Sequence, residues 1–224
     1  MDKNEQAVKE MQEGNIEEAA KLLNDAIEEN PKDAIAYINF GNLLSAVGED
    51  DRSIAFYDKA IELNKNLATA YYGKGNVRFN QDQFKEAVEL YQLAMSHGLH
   101  EGDVYYMLGM SFYQLGDFVR ALPSLSRAVE LNESDSDARF HYGMCLAQTE
   151  QINEAIPQFE KVVKQDPEHA DSYFNLGVGY AYNEDAEKAL EMFEKALEIQ
   201  PDHALAANGV KQMNVAMNNE DERK

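Results

Sequence analysis

The chain has a single cysteine, Cys145, among its 224 residues. One thiol cannot form a disulfide within the chain, so covalent cross-links contribute nothing to its stability. A lack of cysteine pairs is typical of proteins that fold in a reducing compartment. The sequence therefore excludes a small disulfide-stapled scaffold.

Basic residues are also scarce, because 20 Lys and Arg stand against 41 Asp and Glu, for a formal net charge of −21. A surface this acidic repels the phosphate backbone of nucleic acids. It repels anionic lipid headgroups for the same reason. We therefore expect neither nucleic acid nor a membrane as a ligand, and we expect a protein or peptide partner with a basic segment.

Long hydrophobic runs are missing too. The N-terminal stretch MDKNEQAVKE lacks the basic start and the apolar core of a secretory signal. No stretch approaches the roughly eighteen consecutive apolar residues of a membrane-spanning helix. A hydrophobic fraction of 44% is nevertheless ample for a packed core. The sequence predicts a folded cytoplasmic protein.

What the chain does contain is a pattern that repeats every 34 residues without an insertion. We number the positions of each repeat so that position 1 of repeat two is Ala34. Position 8 is glycine in repeats two to six: Gly41, Gly75, Gly109, Gly143 and Gly177. Position 24 is large: Leu23, Tyr57, Tyr91, Leu125, Phe159 and Phe193. Positions that keep the same kind of residue through consecutive copies, in register, predict that one supersecondary element is repeated six times and stacked as a solenoid.

Each repeat carries two apolar stripes with the spacing of α-helices. Positions 4, 7, 8 and 11 form the first stripe, as in Tyr105 and Leu108, and positions 20, 24, 27 and 28 form the second, as in Leu125 and Val129. A turn such as that at Gly116 separates them, where glycine permits a left-handed helix stop. Each repeat is therefore predicted to be a helical hairpin, and no segment predicts a strand.

The repeat resembles the tetratricopeptide repeat (TPR). The residues of repeat six that match this pattern are Tyr173, Leu176, Gly177, Tyr180, Ala189, Phe193, Ala196 and Pro201. The resemblance covers residues 1–203, and the run DAIAYINFGNLLSAVGEDDRSIAFYDKAIELN is further similar to the YrrB-like group of small cytosolic TPR proteins of Gram-positive bacteria.

The resemblance implies an all-α fold, a right-handed TPR solenoid of six helix-turn-helix repeats plus a C-terminal capping helix. We expect a single solenoid domain over 1–203, made of repeats 1–33, 34–67, 68–101, 102–135, 136–169 and 170–203. A seventh first helix without a partner, residues 204–217, is the expected cap, and residues 218–224 are the expected frayed tail.

One face of the first helices is a candidate peptide-binding groove. At about 100° per residue, positions 5, 6, 9 and 12 point away from the packing stripe, and in a TPR-like superhelix this face lines the concave surface. The candidates are Ile38, Asn39, Asn42, Tyr72, Asn76, Phe79, Tyr106, Met110, Tyr113, Phe140, Met144, Phe174 and Asn175. Aromatic side chains would anchor a peptide, asparagines would bond its backbone, and methionines would adapt to its shape.

Two alternatives stay open for this face. The TPR pattern often has asparagine at position 9, but repeats four and five have Met110 and Met144 there, which places the expected ligand contact in the middle of the array. Alternatively, the aromatic residues at position 5 pack between repeats and do not contact a ligand.

Asp103, Asp137 and Asp171 recur at position 2. They are either ordinary first-turn acids that favour the helix dipole, or a rim that captures Lys or Arg of a ligand.

Little in the sequence indicates chemistry. His141 and Cys145 are four residues apart, but position 10 faces a neighbouring helix, so a buried, apolar Cys145 is expected. No third group would orient a Cys–His pair, and we expect no catalytic residue, cofactor or metal.

The favoured function is a non-enzymatic adaptor or scaffold that binds a peptide segment or partner protein in the concave groove, acting as a monomer. The alternatives are a structural component that self-assembles through the array ends, and an enzyme or redox protein that uses Cys145.

Overall fold

The computed structural model describes residues 2–221, and within them the chain forms thirteen α-helices and no strand. The helices are α1 Lys3–Gln12, α2 Ile16–Glu29, α3 Ala34–Ala46, α4 Asp50–Leu63, α5 Ala68–Asn80, α6 Phe84–Ser96, α7 Gly102–Gln114, α8 Phe118–Leu131, α9 Ser136–Gln148, α10 Ile152–Gln165, α11 Ala170–Tyr182, α12 Ala186–Ile199 and α13 Ala204–Asp221. The prediction of an all-α fold built from paired helices is confirmed. Among the described helices, none is both long and apolar enough to cross a bilayer.

From repeat two onward the first helices begin where the repeat begins, at intervals of 34 residues from Ala34 to Ala204. The residue just before several of them is an N-cap: Asp33 Oδ1 accepts from the backbone N–H of Ile35 at 3.0 Å, and Asp135 Oδ1 accepts from that of Ala138 at 2.9 Å. Such a side chain satisfies a backbone donor that the first turn leaves without a partner. Local hydrogen bonding therefore helps to set these boundaries.

The turn inside each repeat has a left-handed residue at position 15. Gly14, Gly48 and Gly116 have φ of 82°, 77° and 73°, which confirms glycine as the stop of the first helix. At the same position of repeats three, five and six the chain has Asp82, Glu150 and Glu184, with φ of 58°, 63° and 61°. A residue with a Cβ adopts left-handed backbone angles only at a cost in free energy, so the turns at Asp82, Glu150 and Glu184 are strained.

We expect Glu184→Gly to stabilise the protein by about 0.5–1 kcal/mol. Removing the Cβ relieves the left-handed strain, and the greater freedom of glycine in the unfolded chain offsets part of the gain. The matched control is Glu191→Gly, inside α12, which should destabilise by about 1 kcal/mol because glycine weakens a helix interior. Urea unfolding followed by circular dichroism measures both, and equal losses in the two variants would contradict the assignment.

The described chain divides into two compact units, Met1–Leu115 and Gly116–Lys224. Unit 1 contains α1 to α7, in which each helix packs on the next and the first helices of successive repeats pack on each other. Unit 2 contains α8 to α13, with the same sequential packing of neighbouring helices. The single solenoid domain expected over 1–203 stays a prediction.

The glycines at position 8 allow a large ring to lie directly against the first helix. A Cβ on Gly41 or Gly75 in unit 1 would lie 2.8 or 2.7 Å from the Cε1 atom of Tyr57 or Tyr91. In unit 2 a Cβ on Gly143 would lie 2.8 Å from Cε1 of Phe159. Real Cβ atoms do not approach so closely, so the glycine row is a packing requirement.

Helix α13 closes unit 2. It packs on α12, with Ala206 fully buried and with Gly209 so near Phe193 that a Cβ there would lie 2.7 Å from the Cδ2 atom of the ring. The helix begins at Ala204, as expected of the cap, but it continues to Asp221 instead of ending at 217. Residues 218–221 contain neither Gly nor Pro, so nothing in the sequence stops the helix there. The last residues of the expected tail, 222–224, lie outside the described residues.

Candidate functional site

The aromatic residues at position 5 are half-buried, and in repeats three, five and six each rests on the ring at position 24 of its own repeat. In unit 1 the ring centroids of Tyr72 and Tyr91 are 5.8 Å apart. In unit 2 the centroid of Phe140 lies 5.8 Å from that of Phe159, and Phe174 repeats this contact with Phe193 at 5.8 Å. Part of each of these three rings therefore packs within its own repeat.

The rings of Phe140 and Phe174 also contact the histidine that caps the next first helix. Phe140 lies 4.8 Å from His169 and Phe174 lies 5.0 Å from His203, measured between ring centroids. His203 Nδ1 in turn accepts from the backbone N–H of Ala206 at 3.1 Å. This is the packing between repeats that the alternative interpretation of the sequence expected, and only the remaining exposed part of each ring is accessible to a ligand.

Two groove candidates are buried. Ile38 is 5% exposed and packs with Tyr57, Ala70 and Val77, and Met110 is 7% exposed. The expectation that they contact a ligand is therefore corrected: neither side chain is accessible. The helical wheel places both positions opposite the packing stripe, but it says nothing about neighbours from other repeats, which can enclose an aliphatic side chain.

Asparagine at position 9 pairs with tyrosine at position 24. Asn42 Oδ1 accepts from the Tyr57 hydroxyl at 2.7 Å, and Asn76 Oδ1 accepts from the Tyr91 hydroxyl at 2.8 Å. In the other four repeats both positions are apolar, as the pairs Val8 with Leu23, Met110 with Leu125, Met144 with Phe159 and Val178 with Phe193. The methionines thus stand in repeats whose residue at position 24 has no hydroxyl for an asparagine to accept from. The joint variation of positions 9 and 24 was visible in the sequence.

This pairing orients the asparagine amides. Burial raises the pKa of Tyr57 to about 12 and raises that of Tyr91 further, so both hydroxyls stay protonated at neutral pH and donate. The pKa of Tyr72 is also raised, mainly by burial, although a hydrogen bond to Asn76 opposes this. Among the described residues, the amide nitrogen of the exposed Asn42 has no partner. It can donate to a ligand.

The remaining groove candidates are half-buried. Phe79 contacts Phe84 edge to face at 5.2 Å between centroids, and Met144 packs against the cluster around Phe159. Asn175 Nδ2 donates to the backbone carbonyl of Asp171 at 2.7 Å. Tyr106 and Tyr113 are half-buried as well. Of this group, Asn175 has its amide nitrogen already engaged within the chain.

A pocket of about 470 Å³ lies at the N-terminal end of unit 1, between α1 and α3. Its lining residues are Asp2, Asn4, Glu5, Val8, Asp33, Ile35 and Asn39. Three of them are carboxylates, and no Lys or Arg of the described chain lines it. Val8 and Ile35 are 37% and 46% exposed and offer apolar surface. A lining of carboxylates and exposed apolar side chains suits a Lys or Arg side chain, which buries its stem and keeps its charge near water.

The three aspartates of the expected rim are all exposed. Asp103 lies in unit 1. Burial is the main cause of the raised pKa of Tyr72, a hydrogen bond to Asn76 opposes it, and the charge of Asp103 adds to the rise. Asp137 and Asp171 lie in unit 2, and Asp171 Oδ1 is 3.3 Å from Nε2 of His203. One member of the row is thus engaged within the chain.

Cys145 is fully buried, and burial raises the pKa of its thiol to about 12. The thiolate, which is the nucleophilic form, is scarcely populated at neutral pH. His141 Nδ1 lies 2.8 Å from the backbone carbonyl oxygen of Asp137, one turn earlier in α9. The geometry therefore does not favour an enzyme or redox site at Cys145.

Comparisons with known proteins agree with this fold. Models described as "Tetratricopeptide repeat" match residues 10–73 and 135–202, and one described as "Anaphase-promoting complex, cyclosome, subunit 3" matches residues 80–162. The TPR repeat-containing protein YrrB of Bacillus subtilis is 64% identical over 39 residues, a local match that spans 17% of this chain and 19% of that protein.

Solved structures extend the match over most of the chain. The crystal structure of YrrB, described as "a TPR protein with an unusual peptide-binding site", is similar with 54% identity and a TM-score of 0.82, covering 86% of this chain and 99% of that one. PilF of Pseudomonas aeruginosa is similar in fold alone, with 17% identity, a TM-score of 0.79 and 96% coverage of each chain. With its period, its glycine row and its paired helices, the chain belongs to the tetratricopeptide repeat family.

Proposed function

We propose that this protein is a non-enzymatic adaptor that binds a peptide with a basic segment on the α1 and α3 face of unit 1. The TPR fold supports a role in protein interaction, and the similar YrrB is described as having a peptide-binding site. The observation that carries the proposal is the acidic pocket beside Asn39, with the free amide of Asn42 on the same helix.

Each part of this face suits one part of a peptide. The amides of Asn39 and Asn42 can bond the backbone of an extended segment, which gives affinity without dependence on sequence. The pocket lined by Asp2, Glu5 and Asp33 takes a Lys or Arg side chain of that segment. The net charge of −21 speeds the encounter with a positively charged partner.

The test begins with a library of short peptides on which Lys, Arg, Glu and Asp are varied, screened for binding to the full-length protein. The tightest peptides should be basic. Asn39→Ala should weaken their binding by about fivefold to thirtyfold, the equivalent of one interface hydrogen bond. The side chain of Asn39 makes no hydrogen bond within the described residues, and alanine is the better helix former, so this change should not lower the unfolding midpoint.

The matched control is Asn175→Ala, the same repeat position in unit 2, where the amide is already bonded to its own helix. It should leave affinity unchanged. Association should also slow between about 0.01 M and 0.15 M salt, as the Debye length falls from about 30 Å to about 8 Å. Preference for acidic peptides, or equal losses in the two asparagine variants, would contradict binding at this face.

We further propose that the adaptor works as a cytoplasmic monomer. A single cysteine, buried in the fold, supports a reducing compartment. Light scattering should give a mass near 25.3 kDa at every protein concentration. A mass that rises with concentration would instead favour self-assembly, for which Leu205 and Val215 on α13, 63% and 60% exposed, offer apolar surface.

A further inference from the structure

Repeat five differs from repeats two, three, four and six at position 4; repeat one has Lys3 there, which is paired with Asp25 and Glu29. Repeats two, three, four and six have tyrosine there, namely Tyr37, Tyr71, Tyr105 and Tyr173, whereas repeat five has Arg139. In repeats two and six this tyrosine lies close to the lysine at position 26 of the second helix, and it contributes to the raised pKa of Lys59 and of Lys195, after the hydrogen bond each makes with a glutamate. Position 4 therefore faces position 26, which in repeat five is Lys161.

Repeat five also differs at position 29. In repeats two, four and six a basic residue at position 26 pairs with a glutamate at position 29. These pairs are Lys59 with Glu62 at 2.9 Å, Arg127 with Glu130 at 2.8 Å and Lys195 with Glu198 at 2.8 Å. Repeat five has Lys161 and Lys164 at these positions. In a chain of net charge −21, repeat five therefore has the three basic residues Arg139, Lys161 and Lys164 and lacks the glutamate that repeats two, four and six have at position 29.

The three cations line one pocket of about 660 Å³ within unit 2, formed by α8, α9 and α10. Arg139 is 5% exposed; its Nη1 donates to Gln158 Oε1 at 3.2 Å and its Nη2 to the backbone carbonyl of Glu133 at 2.9 Å. Its Nε is buried without a hydrogen-bond partner. Within residues 2–221, no carboxylate forms an ion pair with Arg139, Lys161 or Lys164. A buried guanidinium without a counter-ion is costly, and packing does not require it because tyrosine fills this position elsewhere.

The charges in the pocket define its ligand. Two glutamates also line it, but Glu130 is paired with Arg127, which leaves Glu133 alone against the three cations. Two positive charges are therefore in excess, which matches a phosphate dianion. The planar fork of arginine is suited to phosphate oxygens. The hydroxyls of Ser126 and Tyr142 line the same pocket and, in the described chain, have no hydrogen-bond partner.

We propose that this pocket binds a small phosphate monoester, with the phosphate held by Arg139, Lys161 and Lys164. The volume exceeds that of a bare phosphate and lies within the range of small-molecule sites, so the organic part of the ester also lies in the pocket. The long-range repulsion by the acidic surface is screened within about 8 Å at physiological salt, so the local cations dominate at the site.

Isothermal titration calorimetry of the full-length protein tests this site with adenosine 5′-monophosphate, glucose 6-phosphate and inorganic phosphate, and with adenosine and glucose as unphosphorylated controls. At least one ester should bind more tightly than inorganic phosphate, and neither control should bind. Binding should weaken below about pH 6, where the monoester loses its second charge. Equal binding of an ester and its unphosphorylated control would overturn the proposal, as would no binding of either ester.

Arg139→Tyr restores the residue found in four other repeats and should weaken ester binding by about tenfold or more, since it removes charge-assisted hydrogen bonds. The same change should raise the unfolding midpoint, so the lost affinity cannot be ascribed to unfolding. Lys164→Glu recreates the acid–base arrangement of the other repeats and should weaken binding to a similar degree. Lys195→Gln, at position 26 of repeat six, is the matched control and should bind like the wild type; unchanged affinity in Arg139→Tyr and Lys164→Glu would overturn the proposal.

Discussion

Replacing Gly143 with leucine is expected to destabilise the protein by about 3 kcal/mol, the upper end of the cost of overpacking a core. A Cβ at this position would lie 2.8 Å from Cε1 and 3.0 Å from Cζ of Phe159. Phe159 is 1% exposed, so its ring cannot move away from the added side chain without disturbing the residues packed around it. Urea unfolding followed by circular dichroism at the helix band measures the loss.

The alanine variant gives the sharper control for this site. In an unobstructed helix, Gly→Ala stabilises by about 1 kcal/mol. Gly143→Ala is expected to destabilise instead, because the added methyl group meets the ring of Phe159. The double variant Gly143→Ala, Phe159→Leu should recover part of the loss, since the smaller side chain leaves room. A stabilised Gly143→Ala variant would show that the ring is not held against α9 as the structure has it.

Replacing Asn76 with methionine is expected to cost about 1–3 kcal/mol, the penalty for a buried hydroxyl that loses its partner. Tyr91 is fully buried and its hydroxyl donates to Asn76 Oδ1 at 2.8 Å. The double variant Asn76→Met, Tyr91→Phe recreates the pair found at Met144 and Phe159, and it should recover most of the loss. The coupling energy of this double-mutant cycle should be about 1 kcal/mol or more.

The cycle at Asn42 and Tyr57 serves as a comparison. Tyr57 makes the same hydrogen bond at 2.7 Å, but Asn42 is exposed, so water can replace part of the lost interaction. Its coupling energy should be smaller than that of the Asn76 and Tyr91 cycle. Additive losses in both cycles would mean that the joint variation of positions 9 and 24 has no energetic basis.

The helices and the family were predictable from the sequence because they depend on local signals that recur from one repeat to the next. The period of 34, the glycine at position 8 and the stripes of apolar residues each recur along the chain in the same register. Turns with glycine at position 15 were predicted for the same reason. The left-handed turns at Glu150 and Glu184 carry no such signal, because the packing of the two helices imposes φ there against the preference of the residue.

The candidate site was predicted less well, because exposure depends on neighbours that are distant in sequence. The face of the first helices was identified by a helical wheel, which treats each helix alone, and so Ile38 and Met110 were included although both are buried. Asn39 was identified, but the acidic pocket beside it requires Asp2 and Glu5 from another helix. Only packing brings these groups together.

By itself, the sequence determined that this chain is an all-α TPR protein, since helical periodicity and small-residue rows are properties of the order of residues. The tertiary structure decided which contacts the recurring residues make and which of them are exposed. Only the folded chain shows that Asn76 accepts a hydrogen bond from the hydroxyl of Tyr91, and that the ring of Tyr72 at position 5 is partly buried against Tyr91. It also decided that Arg139 and Lys161, 22 residues apart on α9 and α10, line one pocket. The two residues are close because their helices pack against each other, and the spacing of residues along one helix cannot predict such a contact.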